Sequence, residues 1–385
     1  MAGIILWQVI TKKLILRFEW LDWAIFAYIG YLVFITLWYP FPLEHIVYGG
    51  RYNFEFLWAF LILRFGAGLL QERLGFYLRI LVVSGSAALV LGILVRWIFG
   101  EQILLHFGFS GFLSNWNFGG SIPIYHWIDG ANVRRFQGIF DGPNPAGFFI
   151  LFYLGLLITY FRSAKKYYYL LSLWMLVLLL VLLYTYSRSA VLGLLAGGIA
   201  AGLVLARTIF LHHRKAVLVL IPLLCVLGGL FYLKFEGTIH TIILREWSTK
   251  GHYERAVTGL KRFIERPQGS GLASAGPAYR FVKQPEVGES LFEGANKVSE
   301  DYYIPESWFI QQAVEGGIIG FGLFIFIFCS IALGLARTNI PLFGSFIGMG
   351  VMNCFLHSYE SLYISILLFM IVWLVLSKNR SIQHV

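Results

Sequence analysis

Apolar residues run in blocks along this chain, at roughly 23–39, 54–70, 76–99, 144–161, 167–185, 188–206, 215–233, 317–337, 341–357 and 361–377. A helix needs roughly 20 predominantly apolar residues to cross a bilayer core, so the blocks predict about ten transmembrane helices, some of them short. Two stretches interrupt the rhythm. Residues 100–143 contain apolar pieces such as ILLHFGFSGFL that are too short or too broken to span, which predicts an interfacial or re-entrant segment. Residues 234–305 are the extended polar region of the chain, and loops of that length are usually functional or disordered. Within it Ala256, Leu260, Phe263 and Ile264 recur at i, i+4, i+7 and i+8, which predicts an amphipathic helix ending before Pro267. PQGSG then reads as a turn, followed by irregular chain rich in Gly, Pro and acidic residues.

Composition agrees. Of 385 residues 58% are hydrophobic and 13% charged, with a mean hydropathy of +0.73, whereas soluble domains carry about 25% charged residues. The expectation is an all-α integral membrane protein, residues 1–385 forming a single polytopic domain with 234–305 as an extracytoplasmic insert. Cys225, Cys329 and Cys354 all lie in apolar runs and read as packing residues, with no disulfide and no metal site implied. The first apolar stretch, after Lys12, Lys13 and Arg17, contains Glu19 and Asp22 and has no small-residue cleavage site, so no cleavable signal is expected.

Charge placement gives the orientation. With the N-terminus inside, Lys12, Lys13, Arg17, Arg64, Arg73, Arg79, Arg162, Lys165, Lys166, Arg207, Arg214, Lys215, Arg337, Lys378 and Arg380 fall in inner connections, half of the 30 basic residues. Short outer connections hold few, including Arg51 and Arg188. That asymmetry predicts both termini in the cytoplasm and both long segments on the outer face. It also accounts for much of the +10 formal charge without nucleic acid, which is excluded as a partner.

Four constellations then map to the outer side. The first, RRFQGIFDGPNPAG, Arg134 to Gly147, leads into the fourth span, with Asn144 as N-cap and Pro145 at the first helical position. It reads either as an ordinary capped start or as an anion site in which Arg134 or Arg135 stands beside free helix N–H groups. In TYSRSA, Arg188 is the one charge of the Tyr167–Ala206 stretch, flanked by Ser187 and Ser189. An arginine there either snorkels or lines a site. Arg255, Arg262 and Arg266 are spaced by 7 and 4, placing them on one face of the loop helix as a solvated basic face or a phosphate clamp. In PESWFIQQAVEGGIIGFG, Pro305 is expected to start a helix. Glu306 and Glu315 lie near its outer turns, and Gly316, Gly317, Gly320 and Gly322 permit close helix packing. An acid opposite several arginines suits a general base. His357 and Glu360, at a helix boundary, read as a wetted polar pair.

Together these motifs resemble the O-antigen ligase and polymerase superfamily: Arg-x-x-G-x-x-x-x-P-N before one span, Thr-x-Ser-Arg at the end of the next hairpin, a large outer loop with Arg and then Pro-x-G-x-G, and an E-G-G-I-I-G helix. The resemblance covers about residues 131–322. It implies a helical membrane fold of the GT-C kind and a metal-independent, inverting glycosyltransferase without cofactor. Such an enzyme takes glycan from a polyprenyl-diphosphate carrier and joins it to a glycan or lipid-linked acceptor hydroxyl on the outer face of a bacterial inner membrane. By the same resemblance Arg188 and Arg255 hold the carrier diphosphate. Arg134, Arg135, Asn144, Arg262 and Arg266 are the further substrate-binding residues expected from the first and third motifs. The family's third position is a histidine in His-Asn-x-aromatic-Leu; here the stretch reads Glu306, Ser307, Trp308, Phe309, Ile310. That departure points away from a ligase and towards a polymerase, or another member that couples glycans to a different acceptor, with Glu306 either replacing the histidine as base or pairing with Arg188 or Arg255 to orient them. The remaining alternatives are a transporter of a small anion, which would show internal repeats and midplane charges, and a non-catalytic assembly partner, which would need none of the arginines.

Overall fold

The computed structural model describes residues 18–39, 41–70, 74–110, 124, 127–128, 133–161, 168–206, 246–282, 304–360 and 362–381. The chain is mostly helical: α1 (Trp20–Trp38), α2 (Leu43–Leu70), α3 (Leu74–Leu94), α4 (Pro143–Phe161), α5 (Tyr168–Tyr184), α6 (Arg188–Ala206), α7 (Glu246–Glu265), α8 (Gly276–Val282), α9 (Trp308–Thr338), α10 (Ile340–Asn353) and α11 (Leu362–Ser381). Among the described residues, five helical stretches are long and apolar enough to cross a membrane: Trp20–Trp38, Gly75–Phe99, Pro143–Phe161, Arg188–Ala206 and Trp308–Thr338. Shorter apolar helices occupy Tyr169–Tyr184, Ile340–Asn353 and Tyr363–Trp373. The expected span at 215–233 lies outside the described residues, as do Lys12, Lys13, Arg17 and Cys225.

Several boundaries differ from expectation for local reasons. Arg64 is inside α2 rather than in a turn. It is buried, paired with Asp22 of α1 and 3.4 Å from Glu19, which caps that helix, with its guanidinium 4.8 Å from the Trp373 ring centroid of α11. Arg79 likewise lies inside α3. α9 starts at Trp308 rather than Pro305, because Ser307 takes the N-cap and accepts from the Ile310 N–H at 3.4 Å. α4 starts two residues before the expected Pro145, at Pro143. The polar insert has a further short helix, α8, where irregular chain was expected.

The chain divides into two compact units. The first comprises Met1–Ser84, Glu254–Asn339 and Met352–Val385. In it α2 packs along α11, α1 along α9, and α8 against α2. The centre is aromatic: Trp308 meets Tyr359 at 4.7 Å, Phe324 at 4.8 Å and Phe56 at 5.6 Å between ring centroids. The Trp308 N–H donates to the Leu356 carbonyl at 3.1 Å, fixing the start of α9.

The second unit comprises Gly85–Tyr253 and Ile340–Val351. Here α6 and α10 approach through glycine: a Cβ on Gly344 would lie 2.9 Å from the Gly197 carbonyl oxygen, and one on Gly348 2.5 Å from that of Gly193. Without side chains at these four positions the two backbones touch, the small-residue packing common between membrane helices. Ser345 donates to the Leu151 carbonyl at 2.7 Å, joining α10 to α4. Of the expected interfacial segment 100–143, the described part holds a 3-10 turn, Glu101–Phe107, and a two-residue antiparallel ladder pairing Trp127 with Arg134 and Ile128 with Val133.

Candidate functional site

The polar features of the first unit gather where the PQGSG turn meets α9. After α7 ends, Pro267–Gly271 pairs with α9 through backbone. Ser270 N donates to Val314 O at 2.9 Å and Gly271 N to Glu315 O at 3.0 Å, while Ile318 N donates to Pro267 O at 2.8 Å. Those bonds replace helical ones that α9 lacks, because Gly317 sits at φ 60° and ψ −162° and breaks the helix. An interrupted membrane helix must have its freed backbone groups satisfied by other protein groups, and here the turn satisfies them.

Side chains then hold the turn against α1 and α2. Tyr31 donates to Gln268 O at 2.7 Å, Tyr39 to Gly269 O at 3.1 Å, and Leu272 N to the Thr36 hydroxyl at 2.8 Å. His45 Nδ1 lies 3.1 Å from Leu272 O; with a carbonyl as partner, this nitrogen carries the proton. Below the turn a buried relay runs in one direction. Tyr28 donates to Gln312, and the Gln312 amide donates to Asn53 Oδ1 at 2.5 Å. Asn53 Nδ2 in turn donates to Glu315 Oε2 at 2.8 Å. Glu315, Asn53, Gln311 and Gln312 are all fully buried. The Gln311 side chain and the backbone N–H groups of Ala273 and Ala275 complete the surroundings of the Glu315 carboxyl.

At the start of α9, Glu306 forms an ion pair with Arg255 of α7. The pair is partly exposed, 38% for Arg255 and 21% for Glu306. Glu306 holds φ at 52°, a left-handed backbone that costs a residue other than Gly, Asn or Asp energy and clusters at functional sites. Arg262 lies in the last turn of α7. Arg266 falls just beyond it, its guanidinium 5.9 Å from the Tyr39 ring centroid.

In the second unit the Arg134–Arg135 pair splits. Arg134 Nε lies 2.5 Å from Glu101, which also has Arg96 at 3.8 Å. Burial raises the Glu101 carboxyl above its ordinary range, opposed by Arg134 and Arg96. Arg135 points elsewhere: Nε donates to Thr185 O and Nη2 to Asn144 Oδ1, both at 2.9 Å. Asn144 is thus inside the first turn of α4 and engaged by Arg135. Arg188 opens α6, half-buried, next to Ser187 and Ser189, whose hydroxyls lie 3.2 Å apart. Tyr186, just before it, has φ 48°, so the TYSRSA turn is a strained corner.

Of the expected site residues, the structure therefore brings together Arg255 with Glu306 and Arg135 with Asn144. It gives Arg134 to Glu101 and sets Arg188 in the second unit. Sequence reasoning passed over Asn53, Gln312, Tyr28 and Thr36, although an Asn and two adjacent Gln in apolar spans are a readable signal. No family model, curated protein or solved structure matches this chain. The helices themselves fit a multi-pass membrane protein.

Proposed function

We propose that this chain is an extracytoplasmic glycosyltransferase, inverting and metal-independent, that transfers or polymerises glycan from a polyprenyl-diphosphate-linked donor onto an acceptor hydroxyl. Its setting would be a bacterial inner membrane, crossed about ten times, with both termini cytoplasmic. The observation that carries the reading is the Arg255–Glu306 pair: a guanidinium held beside a carboxylate, open to solvent, at a strained residue.

The chemistry asks for those groups. The acceptor oxygen forms a bond to the anomeric carbon as the glycosyl–oxygen bond to the diphosphate breaks, the electron pair leaving with the diphosphate. Positioned arginines stabilise that charge, and losing one such donor typically costs about 2.7–4 kcal/mol of barrier. The reading assigns this task to Arg255 and Arg188, with Arg262 and Arg266 as further contacts. The acceptor proton needs a carboxylate within reach, and Glu306 is the acid paired with Arg255. In cells, Arg188→Ala and Arg255→Ala should each abolish glycan extension with expression intact; normal polymer from both variants would overturn the reading.

One observation favours the transporter alternative: α9 is broken at Gly317 beside the buried Glu315. Discontinuous helices and buried acids are features of transport sites. Purified chain in liposomes separates the two, since a transporter would move a small anion with no lipid-linked glycan present.

A further inference from the structure

α7 presents three faces, each in a different environment. Phe263 turns inward and packs on the cluster of Ala275 and Val314, with Gly259 buried near it and Arg255 and Arg262 half-buried. Glu254, Thr258, Lys261 and Glu265, spaced by 4, 3 and 4, form an exposed polar strip. Tyr253, Leu260 and Ile264, spaced by 7 and 4, form a second exposed strip that is apolar, 69%, 47% and 74% exposed respectively. The apolar stripe read from the sequence is therefore split: Phe263 faces protein, while Leu260 and Ile264 face outward.

A helix with one face on protein, one polar and one apolar has a natural place at the boundary of lipid and water. We infer that α7 lies in the headgroup region of the bilayer, with Tyr253, Leu260 and Ile264 inserted into lipid. Three observations choose lipid over a protein partner. The apolar strip borders an open polar strip, as on helices lying in the interface plane, whose apolar face enters about 5–10 Å into the headgroup and acyl boundary. Lys250 and Lys261 are exposed and flank the apolar strip, where their stems can follow it and their ammonium groups reach anionic headgroups. Phe263 packs on the cluster that contains Val314 of α9, and one turn later that membrane-length helix exposes Ile318 and Ile319, 61% and 58%, so the span joined to α7 by this cluster also carries outward apolar surface.

The inference goes beyond the glycan reading and stands without it. Its consequence for that reading is depth: Arg255, on the same helix, would sit level with the diphosphate of a membrane-borne carrier.

The test uses full-length protein with Cys225, Cys329 and Cys354 replaced by alanine, spin-labelled at single cysteines and held in nanodiscs of phosphatidylethanolamine and phosphatidylglycerol. Labels at 253, 260 and 264 should be relaxed more by oxygen than by a water-soluble nickel chelate, and labels at 258 and 265 the reverse. Equal nickel access on both strips would place the helix in water, and exclusion of both reagents at 253, 260 and 264 would mean a protein cover; either overturns the inference. Unmodified protein gives a second measurement. A diazirine lipid should leave adducts on Tyr253, Leu260 or Ile264 but not on Thr258, and adducts confined to the spans would also overturn it.

Discussion

Gly269 and Gly317 meet backbone to backbone. A Cβ on Gly269 would lie 2.6 Å from the Glu315 carbonyl oxygen and 2.8 Å from the Gly317 nitrogen, and one on Gly317 would overlap the Gln268 and Gly269 backbone. Both residues also have positive φ. Gly317→Ala and Gly269→Ala should each lower stability by at least about 1–3 kcal/mol, the cost of a strained backbone position, before any clash is counted. Gly322 belongs to the same glycine series but has open space around it, so Gly322→Ala should stay within about 0.5 kcal/mol of the parent. Thermal unfolding in detergent compares the three, and a Gly317→Ala protein melting with Gly322→Ala would refute the docked-turn account.

The buried relay makes a separate prediction. Asn53 stands between Gln312 and Glu315 in it, so Asn53→Ala removes one hydrogen-bond partner each from the Gln312 amide and the Glu315 carboxyl, at about 1–3 kcal/mol for each buried donor or acceptor left unsatisfied. Glu315→Gln keeps an acceptor facing Asn53 and should cost less than Glu315→Ala. Equal midpoints for Asn53→Ala and the parent in the same melt would show that the relay does not hold the fold.

Those two features also show where sequence reading stopped. Helices were legible because apolar length alone marks them: every predicted run among the described residues falls on a helix. The break in α9 was not, since E-G-G-I-I-G suits both close packing and a left-handed interruption, and only the partner turn at 267–271 decides between them. Glu315 was visible as an acid near a helix start, but its burial comes from α2 and the turn, distant in sequence. Arg134 and Arg135, adjacent and alike, were one anion-binding group on paper. In space a strand end sends the first to Glu101 and the second to Thr185 and Asn144, a divergence that no spacing rule contains.

Arg135 should accordingly behave as a structural residue. Its hydrogen bonds to Thr185 and Asn144 join the corner before α6 to the first turn of α4. Hydrogen bonds to charged groups contribute about 1.5–3 kcal/mol, so Arg135→Ala should unfold at visibly lower temperature. Arg135→Lys should recover part of that loss, because an ammonium cannot reproduce the fork that reaches both acceptors. If Arg135→Ala kept the parent's midpoint while losing substrate affinity, the residue would belong to a binding site instead.

Arg255 should do the opposite. With Arg255 38% exposed and Glu306 21%, water screens the pair, and a double-mutant cycle of Arg255→Ala with Glu306→Gln should give a coupling below about 1 kcal/mol in stability. Turnover in the proposed reaction should still collapse for Arg255→Ala. A coupling of several kcal/mol would make the pair a structural clamp.

Glu101 supplies a pH test in the second unit. Burial raises its folded-state pKa above that of the unfolded chain, against the pull of Arg134 and Arg96. The folded protein then binds the proton more tightly, so the unfolded state holds fewer protons and stability falls as pH rises between the two pKa values. The cost of the charged form is absent below the unfolded carboxylate range and complete above the folded one. Glu101→Gln removes the titration while keeping a polar side chain beside Arg134. The difference in unfolding midpoint between parent and Glu101→Gln should therefore shift in the parent's favour as pH is lowered from neutrality through that window. If it instead shifted against the parent on acidification, the arginines would dominate over burial and Glu101 would be an ordinary stabilising ion-pair partner.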